Sequence, residues 1–176
     1  PGTTPLGQQL RVLLLDRAPA RDGWHARTEA RLFFAARLEL LRLEVEPALA
    51  AGRDVVCERF TPSTVAYQGQ TEDDARFVLA LDRLCVPPAL QPERVVILDL
   101  PAAESFCRAQ TAGSARGTGL DAIETRGLVF QEQVRAGYLR YAADRQERCV
   151  VLDVAGLDEE TVALQVRRAL QLGAPA

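Results

Sequence analysis

Three observations predict that this sequence folds as an α/β domain with a parallel sheet flanked by helices. The runs "DVVCE" (54–58), "RVVILDL" (94–100) and "CVVLDV" (149–154) are continuously apolar rather than alternating, which suits strands covered on both faces. Stretches of helical period separate these runs, so crossover helices join the strands. At 176 residues, 48% of them hydrophobic, the chain is long enough for one sizeable core, and no internal repeat or second domain interrupts residues 1–176.

Taken in order, Leu6 to Leu15 reads as a short helix. Thr28 to Ala51 reads as a long one, with Leu32, Ala36, Leu40 and Leu43 near helical spacing before Gly52 stops it. A strand is expected over Asp54 to Glu58, then helices over Ser63 to Gln68 and Glu72 to Leu84, until Pro87-Pro88 breaks the chain. Strands over Arg94 to Leu100 and Cys149 to Val154 enclose a helix at Ala102 to Thr111, a glycine-rich loop "TAGSARGTG" and a long helix from about Asp121 to Ala143. Thr161 to Leu172 closes the chain.

A formal net charge of −3, spread along the chain, gives no basis for steering toward nucleic acid or an anionic membrane. No apolar stretch approaches a membrane span and no basic-then-apolar leader begins the sequence, so a cytoplasmic protein is expected. Cys57, Cys85, Cys107 and Cys149 lack paired spacing and read as reduced thiols, not disulfides or a metal site. All 21 basic residues are arginine. Methionine is absent, which implies either a starting residue removed ahead of Pro1 or a chain that lacks its true beginning.

In parallel α/β folds the ligand crevice lies at the carboxyl ends of the strands. That places "CERFTPSTVAYQG" (57–69) and Asp99 together. Arg59 can clamp phosphate oxygens bidentately and Glu58 can orient it or hold a metal-bound water; a surface ion pair is the plainer alternative. Ser63 and Tyr67 share one helix face, and Thr64 and Gln68 add a hydroxyl and an amide, a set that suits a planar base as well as simple helix capping. Glu29, Phe33 and Arg37 also share one face, either as a stacking surface with a fork of donors or as a core Phe beside an exposed Glu/Arg pair. Arg116 stands among three glycines and reads as a cation on a flap. Asp121 and Glu124 have capping-box spacing. His25 is expected in a surface loop, and Trp24 is expected to pack.

Several segments resemble the bacterial thymidylate kinases. "ERFTPSTVAYQG" resembles their DRY/DRF-x-x-S-x-x-A-Y-Q-G segment, and "EARLFFAAR" their E-x-L-L-F-x-A-x-R helix. "PGTTPLGQQLR" is similar to the tail of R-E-P-G-G-T-P-L, and "VVILDLP" to T-L-L-L-D-V-P. "LDAIETRGLVFQEQVRAGYLRYA" is similar to L-D-R-I-E-x-E-G-x-x-F-x-x-R-V-R-x-G-Y-L-x-L-A. The resemblance spans nearly the whole chain in order.

The resemblance implies a P-loop kinase-like parallel sheet and transfer of the ATP γ-phosphoryl group to dTMP with Mg²⁺. Carried over residue by residue, Phe33 stacks on thymine, Arg37 contacts base and phosphate side, and Arg59 holds the acceptor phosphate. Glu58 stands for the family's Asp, Thr64 and Gln68 lie along the base, Tyr67 closes the sugar pocket against a 2′-hydroxyl, and Arg116 is the lid arginine that neutralises developing charge. It also implies a homodimer through Thr28 to Ala51 and the helix after Tyr67.

Three departures stand out. Glu58 replaces Asp, and Ala122 replaces the arginine of D-R-x-E. The family's first (central) strand, its G-x-x-x-x-G-K-[ST] loop and its second strand are not found, so the chain is expected to be an N-terminally incomplete domain without an ATP seat. Gly113 to Gly119 cannot replace that loop, because the stretch follows a helix and lacks the Lys-Ser/Thr end. The expectation is therefore a thymidylate kinase-like chain inactive as written. The alternatives are a degenerate nucleotide-binding or interaction domain, or a kinase for another nucleoside monophosphate. The vacant central position is expected either to close up or to be filled by another segment.

Overall fold

The computed structural model describes residues 2–15, 24–115 and 123–172, with the backbone only at 112–115 and 124. Helix α1 (Pro5–Leu15) packs on α2 (Ala26–Leu40). His25, expected in a loop, caps α2: its Nδ1 accepts from Arg27 N at 3.2 Å. Trp24 is 39% exposed rather than packed away. From α2 the chain continues helically through a π turn (Leu41–Val45) into α3 (Glu46–Ala50), so the long helix expected over 28–51 is one run with a local widening. Gly52, at φ 71, then ends it.

Helix α4 (Thr61–Gln68) follows, with proline in its first turn where a missing N–H costs nothing. Helix α5 (Glu72–Cys85) is capped by Thr71, whose hydroxyl accepts from Asp74 N at 3.1 Å. The two are pinned where α4 begins. Thr61 Oγ1 donates to Asp82 Oδ1 at 2.5 Å, and Gln91 Nε2 donates to Asp82 Oδ2 at 2.9 Å. Strand β1 (Val95–Asp99) leads into α6 (Ala102–Ala115), which runs four residues past the expected loop start at Thr111. The helix expected from Asp121 instead begins at Leu128 as α7 (Leu128–Ala143), because Gly127 at φ 88 separates it from a 3₁₀ turn at Glu124–Arg126. Strand β2 (Cys149–Asp153) and α8 (Glu159–Ala169) complete the described chain.

Among the described residues the sheet has two strands, β1 and β2, parallel and in register from Val95 opposite Cys149 to Asp99 opposite Asp153. The core lies mainly among the helices: Ala30, Phe34, Leu41, Phe60, Val65, Val78 and Tyr141 are buried together.

The strand expected at Asp54 to Glu58 is not formed, and this corrects the sequence reading. A strand exists only through a ladder with a neighbour, and these residues instead line a cavity of about 740 Å³ together with Glu93 to Leu100. Val56, in a run that reads as core, is consequently 68% exposed.

Candidate active site

Helix α4 divides its polar side chains between two partners. Ser63 and Tyr67 face α7. Ser63 Oγ and Tyr138 Oη are 2.6 Å apart, and the Tyr67 ring meets Phe130 and Tyr138 edge-on, with centroids 6.1 and 6.2 Å away. Thr64 and Gln68, one position on, face α2. Arg37 Nη2 donates to Thr64 Oγ1 at 3.0 Å, and Gln68 Nε2 donates to Glu29 Oε2 at 3.0 Å.

Such division requires α4 and α7 to lie very close, and a glycine permits it. A Cβ built on Gly137 would stand 2.9 Å from Ala66 Cα, so any larger residue there forces the helices apart.

Arg37 is the least ordinary group in the molecule. It is 9% exposed, and its guanidinium lies between the Phe34 ring, 4.5 Å away, and the Phe60 ring, 4.8 Å away. Its Nη1 is buried with no hydrogen-bond partner among the described residues. Burial pushes its pKa down to about 10, opposed chiefly by the Asp82 carboxylate. The exposed Glu/Arg pair considered for this helix face is thus not what forms, since Glu29 and Arg37 are both buried. The rings flanking Arg37 are Phe34 and Phe60, whereas Phe33 is half-buried.

Arg59 occupies the left-handed region at φ 65, a conformation that costs an ordinary residue energy and that clusters at functional sites. Its guanidinium is stacked 5.3 Å from the Tyr67 ring centroid. Burial works against the Arg59 charge, but the Tyr67 and Tyr138 hydroxyls outweigh it and the net shift is upward. Burial also pushes the Tyr138 hydroxyl pKa up.

Glu58, Arg59, Ser63 and Tyr67 line the 740 Å³ cavity together with Asp99 and Arg135. Arg135 closes a bidentate pair on Asp99, Nε to Oδ1 at 2.7 Å and Nη2 to Oδ2 at 2.8 Å, which ties the carboxyl end of β1 to α7. Arg37 of α2, and Thr64 and Gln68 on the neighbouring face of α4, lie outside that cavity lining. Arg116, Asp121 and Ala122 lie outside the described residues.

Sequence reasoning missed three participants. Tyr138 and Arg135 belong to a helix noted only for its pattern, and Arg126 pairs with buried Glu29 while stacking 5.1 Å from the Phe130 ring centroid. The alternation of Arg135 and Tyr138 with the apolar Val134 and Tyr141 of α7 was the available signal.

A parallel α/β sheet flanked by helices, with a polar helix opening just after Arg59 and a cavity lined by both Arg59 and Asp99, is the arrangement in which nucleotide-handling enzymes place their ligands. The thymidylate kinase family model matches residues 1–164. The thymidylate kinase of Dinoroseobacter shibae is 40% identical over 154 residues, covering 87% of this chain and 70% of its own. That of Caulobacter vibrioides is 39% identical over 165 residues, covering 93% and 76%. The crystal structure of thymidylate kinase from Ehrlichia chaffeensis aligns with a TM-score of 0.69 at 27% identity, over 98% of this chain and 78% of that one. The chain belongs to the thymidylate kinase family.

Thymidylate kinases use ATP and Mg²⁺. The described residues do not fit the donor nucleotide. The sequence has no lysine, and β1 passes through Pro101 into α6 without a glycine-rich turn. No group of three or more His, Cys, Asp or Glu among the described residues is placed to hold a metal ion.

Proposed function

We propose that this chain provides the acceptor side of thymidylate phosphorylation, binding dTMP around α4. The observation that carries the reading is Arg37: a buried guanidinium with an unpartnered nitrogen, beside Thr64, is a site built for an acceptor that the protein itself does not supply. In this reading Arg37 contacts the base and phosphate side and Phe33 stacks on the base. Thr64 and Gln68 lie along the base edge, while Tyr67, fixed edge-on between Phe130 and Tyr138, closes the sugar pocket. Arg59 holds the acceptor phosphate, and Glu58 orients it. Arg116 supplies the positive charge that neutralises the transferring group.

The 740 Å³ cavity between residues 54–59 and β1 marks, in this reading, the position of the family's central strand and phosphate loop. The chain of 176 residues is accordingly expected to bind dTMP without appreciable turnover. Equilibrium dialysis with dTMP, paired with a turnover assay containing ATP, Mg²⁺ and dTMP, tests both halves. Ordinary kinase rates would sink the inactive reading, and absence of dTMP binding would sink the acceptor reading.

The same cavity favours a second reading. A domain whose Asp54 to Cys57 backbone joins no ladder among the described residues offers an edge for another polypeptide, as a non-catalytic interaction module would. Binding of no nucleotide at all would favour it. Leu38, Leu43 and Leu49 remain exposed along α2 to α3, which supports extending the proposal to a homodimer; sedimentation equilibrium would test it. A cytoplasmic location follows from the proposed substrate. No helix of the described residues is long and apolar enough to cross a membrane.

A further inference from the structure

Glu29 is 2% exposed, and its two oxygens are divided between two partners from distant parts of the chain. Oε1 takes the Nη2 of Arg126, 97 residues away, and Oε2 takes the Nε2 of Gln68. An ionised carboxylate offers acceptors only, so the Gln68 amide must turn its NH₂ toward Glu29 and its carbonyl oxygen away. Arg126 is held in turn by the Phe130 ring on α7, which also borders Tyr67. The amide is buried and cannot choose its orientation freely against solvent.

We infer that Arg126 and Glu29 are positioning residues that set the polarity of Gln68, so that the pocket presents a carbonyl oxygen to the base and selects an imide N–H over a ring nitrogen acceptor. This deepens the acceptor-nucleotide reading and rests on it. A base whose edge donates at that position, such as thymine or uracil, meets an acceptor. Cytosine places a lone pair against the same oxygen, and a buried polar group is left unpaired. Arg126 acts through Glu29: without the cation the buried carboxylate has lost its charge partner and no longer stays where Gln68 needs it.

The test is the ratio of dTMP to dCMP affinity, measured by titration calorimetry on the wild-type chain and on Glu29→Gln, Arg126→Ala and Arg126→Lys. Glu29→Gln keeps the volume but offers a donor as well as an acceptor, which lets Gln68 rotate. The dTMP/dCMP ratio is expected to fall about tenfold or more in Glu29→Gln and Arg126→Ala. It should recover in Arg126→Lys, and thermal melts will show which variants remain folded. A folded variant pair with the wild-type ratio would overturn the inference while leaving the acceptor reading intact. A wild-type chain that binds neither nucleotide would overturn both.

Discussion

Arg37 Nη2 donates to Thr64 Oγ1 at 3.0 Å, while Nη1 of the same buried guanidinium has no acceptor among the described residues. An unmade hydrogen bond at a buried group costs about 1–3 kcal/mol, and burying the charge adds to that cost. The flanking rings of Phe34 and Phe60 recover about 1–2 kcal/mol at most. As a device for stability the arrangement is poor; as a device for holding a ligand it is well prepared.

Arg37→Met should therefore leave the fold intact and stabilise it by about 1 kcal/mol, because an apolar side chain of similar length removes the unpaired donor and the buried charge. The same change should weaken dTMP binding about 100-fold. Urea denaturation and calorimetry on one preparation measure both. A variant that loses stability and keeps its affinity would make Arg37 a structural residue.

Arg59 poses the same choice through the backbone. Relief of the positive φ in Arg59→Gly is worth about 1–2 kcal/mol, set against about 0.5–1 kcal/mol for the lost stacking on Tyr67. Glycine also loses more chain entropy on folding. Stability should thus change by less than about 1 kcal/mol, whereas affinity for dTMP should drop to that for thymidine. If the variant still distinguishes the two, the phosphate is held elsewhere.

Gly137→Ala should destabilise despite alanine's better helix propensity. The new methyl lies 2.9 Å from Ala66 Cα, so α4 and α7 must separate. Overpacking of this kind costs about 1–3 kcal/mol, more than the ~1 kcal/mol propensity gain. A Tm fall of up to about 8 °C is expected for a chain of this size. Loss of the Tyr67 contacts would appear in the near-ultraviolet circular dichroism.

The Asp99–Arg135 pair predicts an acid-side dependence. Hydrogen bonds from Arg135 hold the Asp99 carboxyl below its usual range. Its contribution is therefore fully present above the ordinary aspartate value and is lost as pH falls through the depressed one. Asp99→Asn should flatten the stability-versus-pH curve below about pH 4, with its slope unchanged at neutral or higher pH. A steeper acid slope in the variant would contradict this.

The helices and the two paired strands were legible because continuous apolar runs and helical periods are local properties of sequence. The segment at 54–58 shows the limit. Its composition is that of a buried strand, yet a ladder needs a neighbour, and sequence pattern carries no information about whether one is present. The break at Gly127 was readable in principle, since glycine between two helical stretches permits a positive φ, but the run of apolar spacing across it concealed the change.

Within the site, the pairs on a single helix were legible: Ser63 with Tyr67, and Glu29 with Arg37. What each face meets was not. The division of α4 between α2 and α7 depends on the Gly137 contact, and the stacking of Phe60 on Arg37 beside Phe34 depends on segments far apart in the sequence meeting. Arg126 gave no hint, because the motif that identified this stretch carries glutamate at that place.

The most direct measurement is a calorimetric titration of the chain with dTMP and with thymidine, repeated on the Arg37→Met/Arg59→Gly double variant. The account predicts saturable one-to-one binding of dTMP, much weaker binding of thymidine, and loss of the difference in a double variant that still melts cooperatively. Wild-type affinity for dTMP in the folded double variant, or no binding by the native chain, would contradict it.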